Sequence, residues 1–318
     1  MKNLFIIFLI LTTLVFAKDD QEYQGYIDKT HKLLSGWVYD TSNSLDLLFS
    51  REDVSSVGSN NSYLDLSFDS FFEENRATKY RLNAKLRLKL PRTQKRWDLI
   101  FEDYKDTLSI DTQNSSNAQD AIKNNSYILG VQSSFLKSSL ADFKVGTGIH
   151  FSGILPDFYL SLYLNRQFLR NGYLFDVENQ LRYFVRKRFD DICSATLSKA
   201  LSENFRIMLY NGYHYSEDKN NLNEVTNSLI LQQYIGRKSA LEYHLSMYSL
   251  SDRDREFKSD YYLIGATYKR YFYKNFAYYK IDPGIIFRRE NNFNSSLRFV
   301  LQVGLFFGKT SPKSYKKF

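Results

Sequence analysis

Apolar and polar residues alternate along most of this chain. In the clearest stretch Tyr80, Leu82, Ala84, Leu86, Leu88 and Leu90 occupy the even positions, and Lys79, Arg81, Asn83, Lys85, Arg87 and Lys89 the odd ones. Side chains alternate across a strand, so this spacing predicts a strand with one apolar and one basic face. The same period recurs with weaker polarity to the end of the chain. Between Ser62 and Phe307 it predicts about fourteen strands, among them those marked by Phe158, Leu160, Leu162 and Leu164, by Tyr262, Ile264, Ala266 and Tyr268, and by Leu297 through Phe307 on every second residue. The eighth strand, with Cys193, Ala195 and Leu197, is the weakest, and Pro283 interrupts the thirteenth.

Residues 1–17 follow a different rule. Met1-Lys2-Asn3 is basic, Leu4 to Phe16 is apolar apart from two threonines, and Val15-Phe16-Ala17 precedes the polar Lys18-Asp19-Asp20. This reads as a secretory signal peptide, shorter than the roughly 20 residues of a spanning helix. No later run is that apolar, so any membrane crossing is expected to use strands. Alternating strands after an export signal suit a barrel with lipid outside and water inside.

Residues 18–61 change period. Ile27, Leu34, Val38, Leu45 and Leu48 fall near helical spacing, predicting one amphipathic helix over Tyr26 to Phe49 or two shorter ones, with Gly36 weakening the middle. The apolar stripe needs a cover. A plug at the periplasmic mouth of the barrel, a helix on the membrane surface and a free periplasmic arm all remain open. Asp53 to Asn61 reads as linker, residues 62–307 as the barrel and 308–318 as a basic tail.

The expected connections are short at one end of the strands, as at Pro91 to Lys95, Lys137 to Ser139 and Arg170 to Gly172. They are long and polar at the other, at Lys105 to Asn124, Ser216 to Glu224 and Ser251 to Lys258. The turn near Glu74-Asn75 sets Asp65 and Asp69 beside the basic ladder. The turn at Pro91 to Lys95 sets Asp98 and Glu102 beside Lys89 and Lys85. Two readings follow: a ladder paired with acids across the strands, or an anion-attracting wall.

Composition adds aromatics and charge. Tyr, Phe and Trp make up 17% of the residues, as interfacial girdles of barrels require, and the net charge is +8. The single Cys193 excludes an internal disulfide. No metal or cofactor motif is found, so no cofactor is expected. Of the four histidines, only His150-Phe151-Ser152 has a hydrolase-like element, with Asn165 downstream. It shares the lumen face with Asp142 and Lys144, and a turn near Leu155 would set His150 opposite Tyr159, leaving Asn165 out of register.

The chain after residue 17 resembles the Gram-negative outer-membrane β-barrel class, through its signal, its two-residue period and the closing strand Ser296 to Phe307. That resemblance implies an all-β, antiparallel up-and-down barrel in the outer membrane. Its implied partners are membrane lipid and lipopolysaccharide, the barrel-assembly machinery during insertion, and small solutes, but not nucleic acid. The expected activity is a channel or passive transporter rather than an enzyme. The alternatives are a blocked barrel with a structural or surface-binding role and, more distantly, a lipolytic enzyme.

Overall fold

The computed structural model describes residues 21–49, 60–90, 97–104, 126–137, 141–152, 155–218, 222–236, 238–251, 256–274 and 276–308. The expected signal segment, most of the linker, the long connection 105–125 and the basic tail lie outside the described residues. A helix, α1 (Gln21–Phe49), precedes fourteen strands: β1 (Tyr63–Glu73), β2 (Lys79–Leu90), β3 (Trp97–Asp103), β4 (Ser126–Lys137), β5 (Ala141–Ser152), β6 (Pro156–Arg170), β7 (Tyr173–Phe184), β8 (Arg188–Ala200), β9 (Phe205–Ser216), β10 (Leu222–Gly236), β11 (Ser239–Ser251), β12 (Lys258–Tyr273), β13 (Ala277–Arg288) and β14 (Ser295–Gly308). Each strand pairs antiparallel with its sequence neighbours, and β1 pairs with β14, so the sheet closes as a barrel. Closure removes every sheet edge, leaving no exposed row of unpaired backbone groups in the wall.

The two faces follow the sequence period. On β6 the outward Phe158 and Leu160 are 60% and 62% exposed while the inward Tyr159 between them is 4% exposed. On β12 the outward Ile264 is exposed and the inward Leu263 is sealed. Tight turns hold this register. Asn171 and Gly172 both have positive φ and join the paired Arg170 and Tyr173, the two-residue hairpin that Asn-Gly favours. β13 runs through Pro283. Its ladder with β12 is interrupted between the pairs Gly265–Gly284 and Tyr268–Ile281 without a change of register, as suits a residue with no N–H. The connection 217–221 is shorter than the sequence suggested, because β9 and β10 extend further toward it.

The helix is a single element running through Gly36. It lies at the short-turn end of the barrel and crosses the seam where the sheet closes. Asp28 accepts hydrogen bonds from Tyr273 Oη at 3.2 Å and from Lys274 in the β12–β13 turn. His31 Nε2 bonds the Phe306 carbonyl on β14 at 3.1 Å, and its ring stacks on Phe276 at 3.9 Å. Ser42 Oγ donates to the Lys89 carbonyl of β2 and accepts from Ser62 Oγ just before β1. Outward-facing Ala277, Phe307 and Leu88 are 0%, 4% and 3% exposed beside this helix, whereas the same outer face is open elsewhere on the wall. The helix therefore packs on the outer side of the rim.

Of the three placements left open by the sequence, the lumen plug is not the one found: α1 lies against β14, β1 and β2 on the outer side of the rim. The expected stripe is also rearranged. Val38 is fully buried, Leu34 and Leu45 are half-buried and Leu48 is exposed, while the side chain of Ile27 lies outside the described residues. Buried Ser42 and Asp46 complete the packed face with His31 and Val38. The rim presents backbone carbonyls and hydroxyls as well as side chains, so the docked face is partly polar.

Burial lowers the His31 pKa below its ordinary value, and the hydrogen bond from Lys274 holds Asp28 below the usual carboxylate value. Both groups favour docking in their less protonated forms. Their contribution is complete above about pH 6.5 and is lost as pH falls, His31 first and Asp28 at more acid values. Amide exchange in residues 28–46, corrected for intrinsic rates, is expected to be faster at about pH 5 than at about pH 7.5. A His31→Phe variant should show less of this difference.

Candidate functional site in the barrel lumen

The odd positions of β2 point inward, and the register places the acids where the turns require. Asp65 pairs with Lys85, Asp69 with Arg81, Glu102 with Lys85 and Asp98 with Lys89. Contacts are made at several of these pairings. Arg81 Nη2 meets Asp69 Oδ2 at 3.2 Å, and Lys85 Nζ meets Glu102 Oε2 at 2.9 Å. Asp69 also accepts from Asn83 and Gln302, each at 2.7 Å, so its buried carboxylate is satisfied from both neighbouring strands, β2 and β14. Asp65 accepts from Tyr278 Oη at 3.2 Å. Arg87 keeps a buried Nε without a partner among the described residues, and Lys79 and Lys89 complete the inward row. The ladder is largely a cross-strand network. It is not dry, since the Lys85 side chain remains 48% accessible while paired.

The long-loop end of the lumen is built differently. His214 on β9 is fully buried between two carboxylates. Its Nδ1 lies 2.6 Å from Glu224 Oε2 on β10, and its Nε2 lies 3.2 Å from Asp190 Oδ2 on β8. Both ring nitrogens can donate to these oxygens only as the imidazolium. The acids have further partners. Tyr248 Oη donates to Glu224, Tyr104 Oη donates to Asp190 at 2.5 Å, and Arg182 Nη1 approaches Asp190 at 4.0 Å. Tyr104 begins at the end of β3, so its bond to β8 passes inside β4 to β7. Its ring packs with Ile100, Ile128, Tyr159 and Phe184, and the Arg182 guanidinium lies 5.1 Å above it. A second apolar cluster, Tyr248, Tyr261, Leu263 and Ile286, lines the inner wall on β11 to β13. The interior thus narrows toward the long loops and stays water-accessible around Lys85.

Sequence reading marked the ladder but missed this second group. The alternation alone puts His214 and Glu224 on one face, and they are direct register partners. Asp190 joins them diagonally, because its own partner on β9 is Ser216. Tyr104 continues the inward alternation of Asp98, Ile100 and Glu102, but its partner on β8 lies five strands away, where alternation gives no signal.

His150 points into the lumen as expected, but its register partner is Asp157, not Tyr159. The β5–β6 connection is tighter than the sequence suggested. The Asp157 carboxylate is engaged with the backbone N–H groups of Arg186 and Lys187. His150 Nε2 bonds Ser126 Oγ, and the ring is wedged between Tyr104 and Phe184. His150 has no exposed surface, while Ser126 is half-buried.

A closed antiparallel barrel with an apolar exterior and a charged interior is the architecture of membrane-spanning β-barrels, and it defines the class of this chain. No protein-family model matches the chain, and no curated protein matches it. Among solved structures it is similar to a bacterial polysaccharide outer membrane secretin, with 7% identity over 80% of this chain and 100% of that one, at a TM-score of 0.49. It is also similar to a loop L8 deletion mutant of OmpT, an outer membrane protein of Vibrio cholerae (10% identity, 79% and 100% covered, TM-score 0.47), and to the outer membrane channel DcaP of Acinetobacter baumannii (8%, 81% and 100%, 0.46). At these identities and scores, nothing about the chemistry of those proteins carries over.

Proposed function

We propose that this chain is an outer-membrane β-barrel that acts as a channel or passive transporter for small solutes. Export by its N-terminal signal and seating in lipid by its outward apolar face fit the outer membrane of a Gram-negative bacterium. What carries the reading is Lys85: it points inward from the wall, is ion-paired, and still has about half its side chain accessible. A charged wall beside accessible space suits passage of small polar solutes, and the acid–base pairing of the ladder moderates any preference for anions. The full burial of His150 between Tyr104 and Phe184 supports a non-enzymatic role.

The refolded protein in planar bilayers should show discrete conductance steps. Lys85→Glu combined with Arg87→Glu should shift ion selectivity toward cations, because two inward positive charges become negative beside Glu102. A folded double variant with unchanged selectivity would rule out this wall as the conduction path. The Tyr104–Asp190 crossing supports a second reading, in which the long-loop end is sealed and the barrel serves a structural or surface-binding role. Absence of conductance in both the wild type and a Tyr104→Ala variant would favour it.

A further inference from the structure

The helix α1 has three faces, only two of which are covered. His31, Val38 and Ser42 face the barrel rim. A second stripe includes Asp28 and Asn43, bonded at the strand ends: Asp28 accepts from Tyr273 Oη at the end of β12 and from Lys274 in the turn, and Asn43 Oδ1 accepts from Asn60 Nδ2, ahead of β1, at 3.0 Å. Asp46, five full turns beyond Asp28 and so on the same side, is 1% exposed, so this stripe borders the packed face at the strand ends. The third stripe runs through Leu33, Trp37, Thr41, Ser44 and Leu48 at steps of three and four residues, on the flank opposite Asp28 and Asn43. Leu33, Trp37 and Leu48 are 65%, 54% and 75% exposed.

The path of the helix fixes what this flank meets. From Asp28 to Ser42 the helix rises about 21 Å. Over that length it passes from the β12–β13 turn to the end of β2, three to four strand spacings of about 4.8 Å. It therefore runs around the rim instead of down the wall, on the outer side, with Leu33, Trp37 and Leu48 turned away from the barrel. Half-buried Leu34 and Leu45 join this side to buried Val38 at the rim, from which the outward Leu64, Leu66, Leu82 and Leu86 continue along β1 and β2. The apolar flank of the helix is continuous with the surface that the barrel offers to lipid. Left in water, each large side chain on it would cost on the order of 1 kcal/mol or more.

We propose that α1 is an interfacial helix, with Leu33, Trp37 and Leu48 seated at the headgroup–acyl boundary of the bilayer on the short-turn side. This rests on the reading of the barrel as membrane-embedded. A helix in the plane of the membrane with an aromatic residue at headgroup level is a stable way to lie on a bilayer. Here its inner face also ties β14, β1 and β2 together across the closing seam. Membrane contact and barrel closure thus share one element.

The chain has two tryptophans, Trp37 and Trp97, and Trp97 lies on the outward face of β3 at the same end of the barrel. The full-length mature protein is reconstituted in vesicles of lipids brominated near the headgroup end of the acyl chain. In a Trp97→Phe variant the remaining Trp37 should lose most of its fluorescence relative to unbrominated vesicles, with an emission maximum to the blue of tryptophan in water. Adding Leu33→Glu and Leu48→Glu to that variant should restore much of the signal. A Trp37→Phe variant reports the barrel wall through Trp97. Quenching of Trp97 without quenching of Trp37 would overturn the interfacial helix and leave the barrel in the membrane, pointing to a protein partner or water at α1. Quenching of neither would overturn the membrane seat and the helix proposal with it.

Discussion

His214→Ala is expected to destabilise the folded barrel by about 3–5 kcal/mol, the usual cost of removing one partner from a buried ion pair. The imidazole holds Asp190 and Glu224, and all three side chains are nearly sealed from water. Its removal leaves two carboxylates with a cavity between them and no cation in their midst. Arg182, at 4.0 Å on the far side of Asp190, and the hydroxyls of Tyr104 and Tyr248 offset part of the loss, which places the effect nearer the lower bound. The measurement is urea unfolding in lipid vesicles, followed by the heat-modifiable shift in gel migration. Neutralising one acid in the background of the first change, as His214→Ala with Glu224→Gln, should recover a substantial part of the stability. A shift below about 1 kcal/mol for His214→Ala would show that water reaches the site and screens it.

The second large effect is on conduction. Tyr104→Ala should raise single-channel conductance several-fold, since Tyr104 is the side chain that joins β3 to β8 across the lumen. The same change removes a ring packed against His150 and Phe184, at a cost of about 3–5 kcal/mol for a large aromatic truncated to alanine. Tyr104→Phe separates the two effects. It keeps the ring and the narrowing but loses the hydrogen bond to the Asp190 carboxylate, worth about 1.5–3 kcal/mol. Conductance should stay near the wild-type value in Tyr104→Phe and rise only in Tyr104→Ala. A folded Tyr104→Ala barrel that conducts like the wild type would place the narrowest point elsewhere.

Much of the wall was legible because a strand has only two faces and short turns allow few registers. Once Leu82, Leu86 and Leu88 faced lipid, Lys85 and Arg87 had to face the lumen. The connections after Glu73 and Leu90 then fixed Asp65, Asp69, Asp98 and Glu102 opposite the ladder, where they are found. Even Pro283 fits, since one missing N–H interrupts a ladder without shifting it.

Tertiary structure decided what period alone leaves undetermined. A helical stripe says that α1 has unlike faces but not which surface each meets. The rim offered carbonyls, hydroxyls and aromatic rings as well as apolar groups, so His31, Ser42 and Asp46 went inward with Val38, and Leu48 stayed out. The contact between Tyr104 and Asp190 depends on the curvature of the closed sheet, which brings together residues that no hairpin relates. Local alternation and turn length determined the barrel and its charged wall, because both act between neighbouring strands. Closure determined where the helix docks and where the lumen narrows, because both depend on strands that meet only when the sheet returns to its start.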